Sequence, residues 1–107
     1  GSLLKPAKWL ENCSIFYWGD IDVDGCRILA QLRSHFPKTK SILMDKTTYQ
    51  QFKPFWVVDR KPDAGVPLGL TEQERALYLQ LAIEQKRLEQ ERIDQAYVNH
   101  FLATLEH

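Results

Sequence analysis

Acidic residues occupy every second position in one short stretch of the chain. Asp20, Asp22 and Asp24 follow an apolar run, and Gly25 comes directly after them. If the backbone stays extended, a period of two places Asp20 and Asp22 on the same side, with Ile21 turned back into the core. Neighbouring carboxylates repel each other unless a cation neutralises them, and hard oxygen ligands suit Mg²⁺ or Mn²⁺. This spacing therefore predicts a divalent metal site.

Other protein classes share part of this pattern. The order Asp-x-Asp-x-Asp-Gly matches the first half of an EF-hand calcium loop, but Gln31 stands where the loop needs a bidentate Glu, and the apolar Ile28 stands at its ninth position. Haloacid-dehalogenase-like phosphatases also place Asp-x-Asp after an apolar strand, yet they need further lysine and acidic motifs on later strands, for which 107 residues leave no room. A solvated acidic turn that only caps a helix is the simplest alternative.

The elements on either side of the acids would position them. Residues 15–19 are aromatic and β-branched and end at a glycine, which predicts a buried strand. Residues 26–36 carry apolar side chains with helical spacing at positions 28, 29, 32 and 36, and Pro37 ends the helix. The acids then lie at a strand-to-helix junction, where open α/β sheets bind ligands and a helix N-terminus can hold a phosphate. Asp24 is a candidate cap of this helix as well as a candidate metal ligand beside Asp20 and Asp22.

A second strand completes a βαβ unit. Residues 41–44 are apolar and are expected to pair in parallel with the first strand. Asp45 follows as the N-cap of a short helix over residues 46–53, which Pro54 ends. Asp45 could also face the same crevice as Asp20, but the capping role is the favoured interpretation because Asp before a helix needs no ion.

The second half of the chain predicts a loop and two helices. Residues 52–58 form an aromatic and β-branched cluster, which predicts a core segment or an edge strand. The glycines and prolines of residues 59–70 predict a loop. Thr71 and Glu74 form a capping box for a helix that buries Leu77, Tyr78, Leu81 and Ala82. The apolar phase changes between residues 87 and 93, so a break is expected there. Ile93 and Val98 have the spacing of a hydrophobic staple for a second helix over residues 95–104.

Composition limits the classes of function. The chain has 107 residues, of which 44% are hydrophobic and 26% are charged. This length and composition predict one globular domain over residues 1–104. The net charge is zero, whereas a freestanding nucleic-acid-binding domain usually carries an excess of basic residues. Two cysteines without metal-site spacing, no signal peptide and no membrane-spanning run favour a reducing, cytoplasmic setting. Residues 105–107 resemble the start of a histidine tag, and residues 1–2 resemble a cloning scar. These ends predict that the chain is a piece of a longer protein.

Several ordered blocks of the chain resemble the C-terminal domain of JetD, the nuclease subunit of the Wadjet anti-plasmid system. The resemblance covers most of residues 9–94. It rests on four blocks: the aromatic Asp-x-Asp stretch (residues 17–22), the helix after it (25–37), the second strand with its acid (41–45) and a late charged block (87–93). It implies a Toprim fold akin to the topoisomerase VI A subunit, here as a truncated Toprim-like α/β domain with a small, parallel-rich sheet flanked by helices.

The resemblance also implies roles for residues. Toprim domains bind Mg²⁺ through a strand-terminal Asp-x-Asp, which corresponds to Asp20 and Asp22, while Asp24 falls at a variable position beside them. Glu89 and Glu91 belong to the late charged block and are candidates for completing the site, Glu89 as a metal ligand and Glu91 as a catalytic acid. A Toprim domain also takes a catalytic Glu from an earlier strand, and Glu11 is too close to the Asp-x-Asp to be that residue.

Two functions therefore follow. In the first, the chain is the Mg²⁺- or Mn²⁺-binding portion of a DNA-cleaving plasmid-defence protein and is inactive as this piece alone. The longer protein would have DNA and the other Wadjet subunits as partners, and it could also form a homodimer. The second is a non-catalytic α/β interaction domain whose acidic turn is structural.

Overall fold

A computed structural model describes residues 15–62 and 64–105 of the chain. Two short β-pairs and four α-helices make up a small α/β fold. In chain order they are β1 (Phe16–Tyr17), α1 (Val23–His35), β2 (Lys40–Ser41), α2 (Lys46–Gln51), β3 (Val57–Val58), α3 (Glu72–Glu84), β4 (Lys86–Arg87) and α4 (Gln95–Thr104). The sequence also suggests a short helix within residues 3–12, and both this segment and Glu11 lie outside the described residues. No helix in the described part is both long and apolar enough to cross a membrane.

The first β-pair confirms the predicted βαβ unit, but β2 overlaps the strand predicted over residues 41–44 only at Ser41. β1 and β2 pair in parallel, with Phe16 opposite Lys40 and Tyr17 opposite Ser41, and α1 connects them. The prediction that β1 is a buried strand is wrong, because the Phe16 side chain is 52% exposed. Only two residues of the run form the ladder, so the aromatic side chains lie at the margin of the core rather than at its centre.

Helix α1 begins earlier than its apolar pattern suggested. It starts at Val23, and Asp22 is its N-cap in place of Asp24. Its buried side chains include Val23, Cys26, Leu29 and Ala30. Ile28, which the pattern assigned to the core, is 52% exposed. Two turns of context were too few to fix the phase of the helix, since Ile28 and Leu29 are both apolar.

The caps predicted downstream are confirmed. The Asp45 carboxylate accepts a hydrogen bond of 2.7 Å from the Thr48 amide at the start of α2. Thr71 and Glu74 form the reciprocal capping box of α3. Helix α2 is shorter than expected, ending at Gln51 before a 3-10 turn over Lys53–Phe55 that contains Pro54.

The predicted break after α3 is also present. Gln85 adopts a left-handed conformation with φ of 53°, and the chain then enters β4, which pairs antiparallel with β3. A 3-10 turn over Gln90–Arg92 follows, and α4 starts after its N-cap, Asp94. Ile93 and Val98, the predicted staple pair, are both buried. The break turns the chain back toward the acidic junction, which is the strand-to-helix turn that carries Asp20, Asp22 and Asp24.

Candidate functional site

Ile21 anchors the acidic stretch to the core. Its side chain is fully buried, as predicted, and its backbone forms an antiparallel bridge with Leu88 through hydrogen bonds of 2.9 and 3.0 Å. Leu88 is fully buried as well. The bridge fixes the backbone on both sides of Ile21, and it holds the late charged block against the acids.

Asp20 is bonded directly to that late block. One of its carboxylate oxygens accepts a hydrogen bond of 2.6 Å from the Gln90 backbone amide, a contact between residues 70 positions apart. Glu89 and Glu91 line the same open depression of about 340 Å³ as Asp20 and Trp18. The structure therefore brings Glu89 and Glu91 back beside Asp20, as the change of apolar phase suggested.

Asp22 caps helix α1 with one of its carboxylate oxygens. Its Oδ1 accepts a hydrogen bond from the Gly25 amide, which caps α1. Burial raises the pKa of Asp22 to about 6; the Gly25 bond opposes this shift, and the charges of Asp20, Asp59 and Asp24 add to it. Asp22 thus carries a charge that the fold penalises and that a cation would relieve.

Gly25 permits this close arrangement. A Cβ atom at position 25 would lie 2.2 Å from the Asp20 carbonyl oxygen and 3.0 Å from Asp22 Oδ1. The first contact is with backbone and cannot be relieved by rotating a side chain. The glycine of the Asp-x-Asp-x-Asp-Gly motif is therefore required for packing the turn against α1 and not for an unusual φ angle.

The motif pattern missed two residues of this region. Asp59 directly follows β3, and its side chain is 7% exposed. Lys61 places its ammonium 3.0 Å from Asp24 Oδ2 and 3.8 Å from Asp59 Oδ1. Both lie in residues 59–70, whose glycines and prolines predict a loop. The available signal was that Asp59 comes immediately after a β-branched run, at the end of a strand.

Neighbouring groups respond to the concentration of negative charge. The pKa of the Tyr17 hydroxyl is raised by burial and by the charges of Asp22 and Asp20. Burial and the charge of Asp22 raise the pKa of the Cys26 thiol to about 12, so this cysteine is not a nucleophile. The pKa of Lys61 is raised by its hydrogen bond to Asp24 and by the charges of Asp24 and Asp59. Lys61 is the positive group that contacts two of these acids.

Carboxylate oxygens are the donors that a hard divalent cation prefers, but the acids of this region do not form a closed cage. Among residues 15–62 and 64–105, no group of three or more His, Cys, Asp or Glu side chains is arranged to hold a metal ion. Asp20 and Asp22 each use one oxygen for a backbone hydrogen bond. Asp59 Oδ2 is buried and accepts no hydrogen bond from the described part of the chain. Carboxylate oxygens, one of them buried and unpaired, are the ligands that Mg²⁺ or Mn²⁺ prefers.

Comparison with protein families shows which family the chain belongs to. The family described as Wadjet protein JetD, C-terminal, matches residues 1–102. The chain belongs to this family. The match covers the acidic junction, both β-pairs and nearly all of α4, so every residue of the site described above lies within the JetD C-terminal region. No curated protein matches the chain significantly.

Proposed function

We propose that this chain is the metal-binding, Toprim-like portion of a DNA-cleaving plasmid-defence protein of the JetD family, acting in the cytoplasm with the other Wadjet subunits. The observation that carries the proposal is the contact between Asp20 and Gln90, which places Glu89 and Glu91 beside the Asp-x-Asp motif. Two acidic blocks that are far apart in sequence meet at one helix N-terminus, where a phosphate group is also favoured.

The residues divide into three roles in this proposal. Asp20 and Asp22 are the main ligands for Mg²⁺ or Mn²⁺, with Asp24 and Glu89 at the edge of the site. When bound, the cation would stabilise negative charge on the phosphate and lower the pKa of a water molecule. Glu91, exposed at the rim of the depression, is the candidate to accept or donate a proton. Gly25 and Ile21 hold the ligands in place.

A binding experiment tests the metal site in the chain itself. Titration with Mn²⁺ should broaden the amide signals of residues 19–25 and 88–91, and binding should be weak because few protein ligands converge. Asp22→Asn should abolish this broadening, whereas Asp45→Asn, a change at another N-cap, should leave it intact. Broadening confined to a different region would show that the site is assigned wrongly.

A cleavage experiment tests the chemistry in the longer protein. Asp22→Asn should abolish metal-dependent DNA cleavage without unfolding the protein, because Asn caps a helix as well as Asp does. Asp45→Asn is again the matched control and should cleave at the wild-type rate. Wild-type cleavage by the Asp22→Asn protein would remove the nuclease role of this motif.

The capping contacts favour a second candidate function. Asp20 and Asp22 both accept backbone amides, as the residues of a purely structural turn would. On this alternative the chain is a non-catalytic α/β interaction domain. It predicts that Mn²⁺ leaves the amide signals of residues 19–25 sharp and that Asp22→Asn has no effect on cleavage.

A further inference from the structure

We propose that a surface formed by Lys53, Phe55, Arg87 and Arg92, here called the basic-aromatic surface, binds a single strand of DNA. Phosphate groups contact the three cations, and one unpaired base stacks on the Phe55 ring. This inference rests on the proposed function and names a contact surface for its substrate. Its physical basis is a set of cations around an exposed aromatic ring, next to the depression that Glu91 lines.

Two segments that are distant in sequence build the basic-aromatic surface. The 3-10 turn before β3 carries Lys53 and Phe55, and the 3-10 turn after β4 ends at Arg92. Antiparallel pairing of β3 with β4 places Val57 opposite Arg87. The Arg92 Cζ atom lies 6.0 Å from the centroid of the Phe55 ring, so the two turns meet.

The cations of this surface are not neutralised within the described part of the chain. Lys53 and Arg92 are exposed, and among residues 15–62 and 64–105 neither they nor Arg87 form an ion pair. The whole chain has a net charge of zero, so this is a local concentration of positive charge. Phosphate groups of a nucleic acid are attracted to such a patch.

Arg87 supplies a second, independent observation. Its side chain is half-buried, and its Nε is buried without a hydrogen-bond partner among the described residues. A buried donor without a partner is unfavourable, and a guanidinium can donate two parallel hydrogen bonds to a phosphate. Arg87 directly precedes Leu88, which is bridged to Ile21. A phosphate bound by Arg87 would therefore lie at the margin between the basic-aromatic surface and the acidic junction.

Phe55 has the properties of a stacking platform. Its side chain is 46% exposed, and the guanidinium of Arg92 already lies over its ring. The next residue, Trp56, stacks on the fully buried Tyr49 with ring centroids 3.9 Å apart and donates a hydrogen bond of 2.7 Å to the Tyr49 carbonyl. The backbone beside Phe55 is thereby fixed, which reduces the ordering cost of binding. Bases stack on such rings with little dependence on sequence.

The basic-aromatic surface is continuous with the candidate site. Arg92 directly follows Glu91 in the 3-10 turn, and the amide of Gln90 in the same turn donates to Asp20. Glu91 also lines the depression that contains Asp20. A DNA strand on Phe55 and Arg92 would therefore pass the rim of this depression and bring a phosphodiester toward the acids.

Titration with oligothymidine in the presence of EDTA tests the inference in the chain itself. Amide signals of residues 53–57 and 86–92 should shift. Phe55→Leu keeps an apolar side chain but removes the ring, so the Kd should rise by about tenfold, whereas Phe55→Tyr should stay within about twofold of the wild type. Arg92→Gln should reduce the slope of log Kd against log salt concentration by about 0.7. Arg75→Gln, which removes an exposed arginine from α3, should leave the slope unchanged.

The outcomes separate this inference from the proposed function, because EDTA removes divalent cations from the titration. If Asp22→Asn loses the Mn²⁺ broadening while oligothymidine shifts no signal in residues 53–57 and 86–92, the metal site stands and the basic-aromatic surface is wrong. If those signals shift while residues 19–25 stay sharp with Mn²⁺, the surface stands and the metal site is wrong.

The variants test the individual roles. Equal Kd values for Phe55→Leu and Phe55→Tyr would overturn base stacking, and equal salt slopes for Arg92→Gln and Arg75→Gln would overturn the phosphate contact. Phe55, Arg75 and Arg92 are all exposed, so their variants should fold normally, which wild-type positions of the remaining amide signals would verify.

Discussion

Asp22 and Glu74 are both buried acids in the first turn or cap of a helix, yet their surroundings are opposite. Glu74 is 3% exposed and receives two hydrogen bonds from Arg33, of 2.6 and 3.0 Å, one from Ser41 and one from the Thr71 amide. Burial alone would raise the pKa of Glu74, but these donors together hold it below its ordinary value. Among the described residues, Asp22 receives one backbone hydrogen bond and forms no ion pair, and its pKa rises to about 6.

The contrast distinguishes a compensated acid from an uncompensated one. The Arg33–Glu74 pair joins α1 to α3, and the Ser41 hydroxyl adds β2 to the same network. Its charge is neutralised within the fold. Around Asp20, Asp22, Asp24 and Asp59 the charge of the carboxylates exceeds that of Lys61, so the region keeps a negative charge. Neutralising a buried acid internally favours stability, whereas leaving it uncompensated favours ligand binding at the expense of stability.

The largest effect is expected from breaking the compensated acid. Glu74→Gln should lower the free energy of unfolding by about 3 kcal/mol, because the Arg33 guanidinium, 14% exposed, loses its charged partner. Chemical denaturation near neutral pH measures the change, and Glu72→Gln, in the same first turn but exposed, is the control. Because the folded pKa of Glu74 is lowered, its contribution should be present above its ordinary pKa of 4.5 and should disappear as the pH falls further. Equal effects of the two variants would contradict the distinction.

Gly25→Ala should have the next largest effect. The added Cβ would meet the Asp20 carbonyl and the Asp22 carboxylate, so the turn must shift away from α1 at a cost of about 2 kcal/mol. Loss of the amide contact between Gln90 and Asp20 should accompany it, visible as a shift of the Gln90 amide signal. Gln31→Ala, at an exposed position of the same helix, should change stability little and leave Gln90 unmoved.

Asp22→Asn should change stability in the opposite direction. The folded pKa of Asp22 is about 6 against an ordinary value of 3.8, so its favourable contribution is complete below the ordinary value and is lost as the pH rises through about 6. At about pH 8 the Asn variant should therefore be more stable than the wild type by about 1 kcal/mol, and the gain should vanish at about pH 4. Thermal unfolding at the two pH values measures it. A loss of stability at the higher pH would show that Asp22 is compensated after all.

The smallest effect on stability is expected from Glu91→Gln. Glu91 is exposed at the rim of the depression, so the free energy of unfolding should change by less than about 0.5 kcal/mol. The apparent Kd for Mn²⁺ should still rise by about threefold, because a nearby negative charge is lost. Glu72→Gln should affect neither quantity. A large loss of stability in Glu91→Gln would place Glu91 with Glu74 among the structural acids.

Local chemistry made much of the fold predictable. The caps at Asp45 and Thr71, the break before Ile93 and the start of α4 each depend on residues within a few positions of one another. The Asp-x-Asp motif and its placement between β1 and α1 were equally local. The start of α1 was missed by three residues, because Asp22 and Asp24 are equally good caps in sequence and only packing selects between them.

Tertiary structure alone decided which acids meet and which are compensated. The capping box indicated that Glu74 begins a helix, but its pairing with Arg33 spans 41 positions and leaves no trace in the local pattern. The same holds for the contact between Gln90 and Asp20 and for the position of Lys61 between Asp24 and Asp59. The sequence determined where the acids stand along the chain. Their charge balance was settled only when distant segments packed together, since burial and electrostatic neighbours are properties of the folded chain.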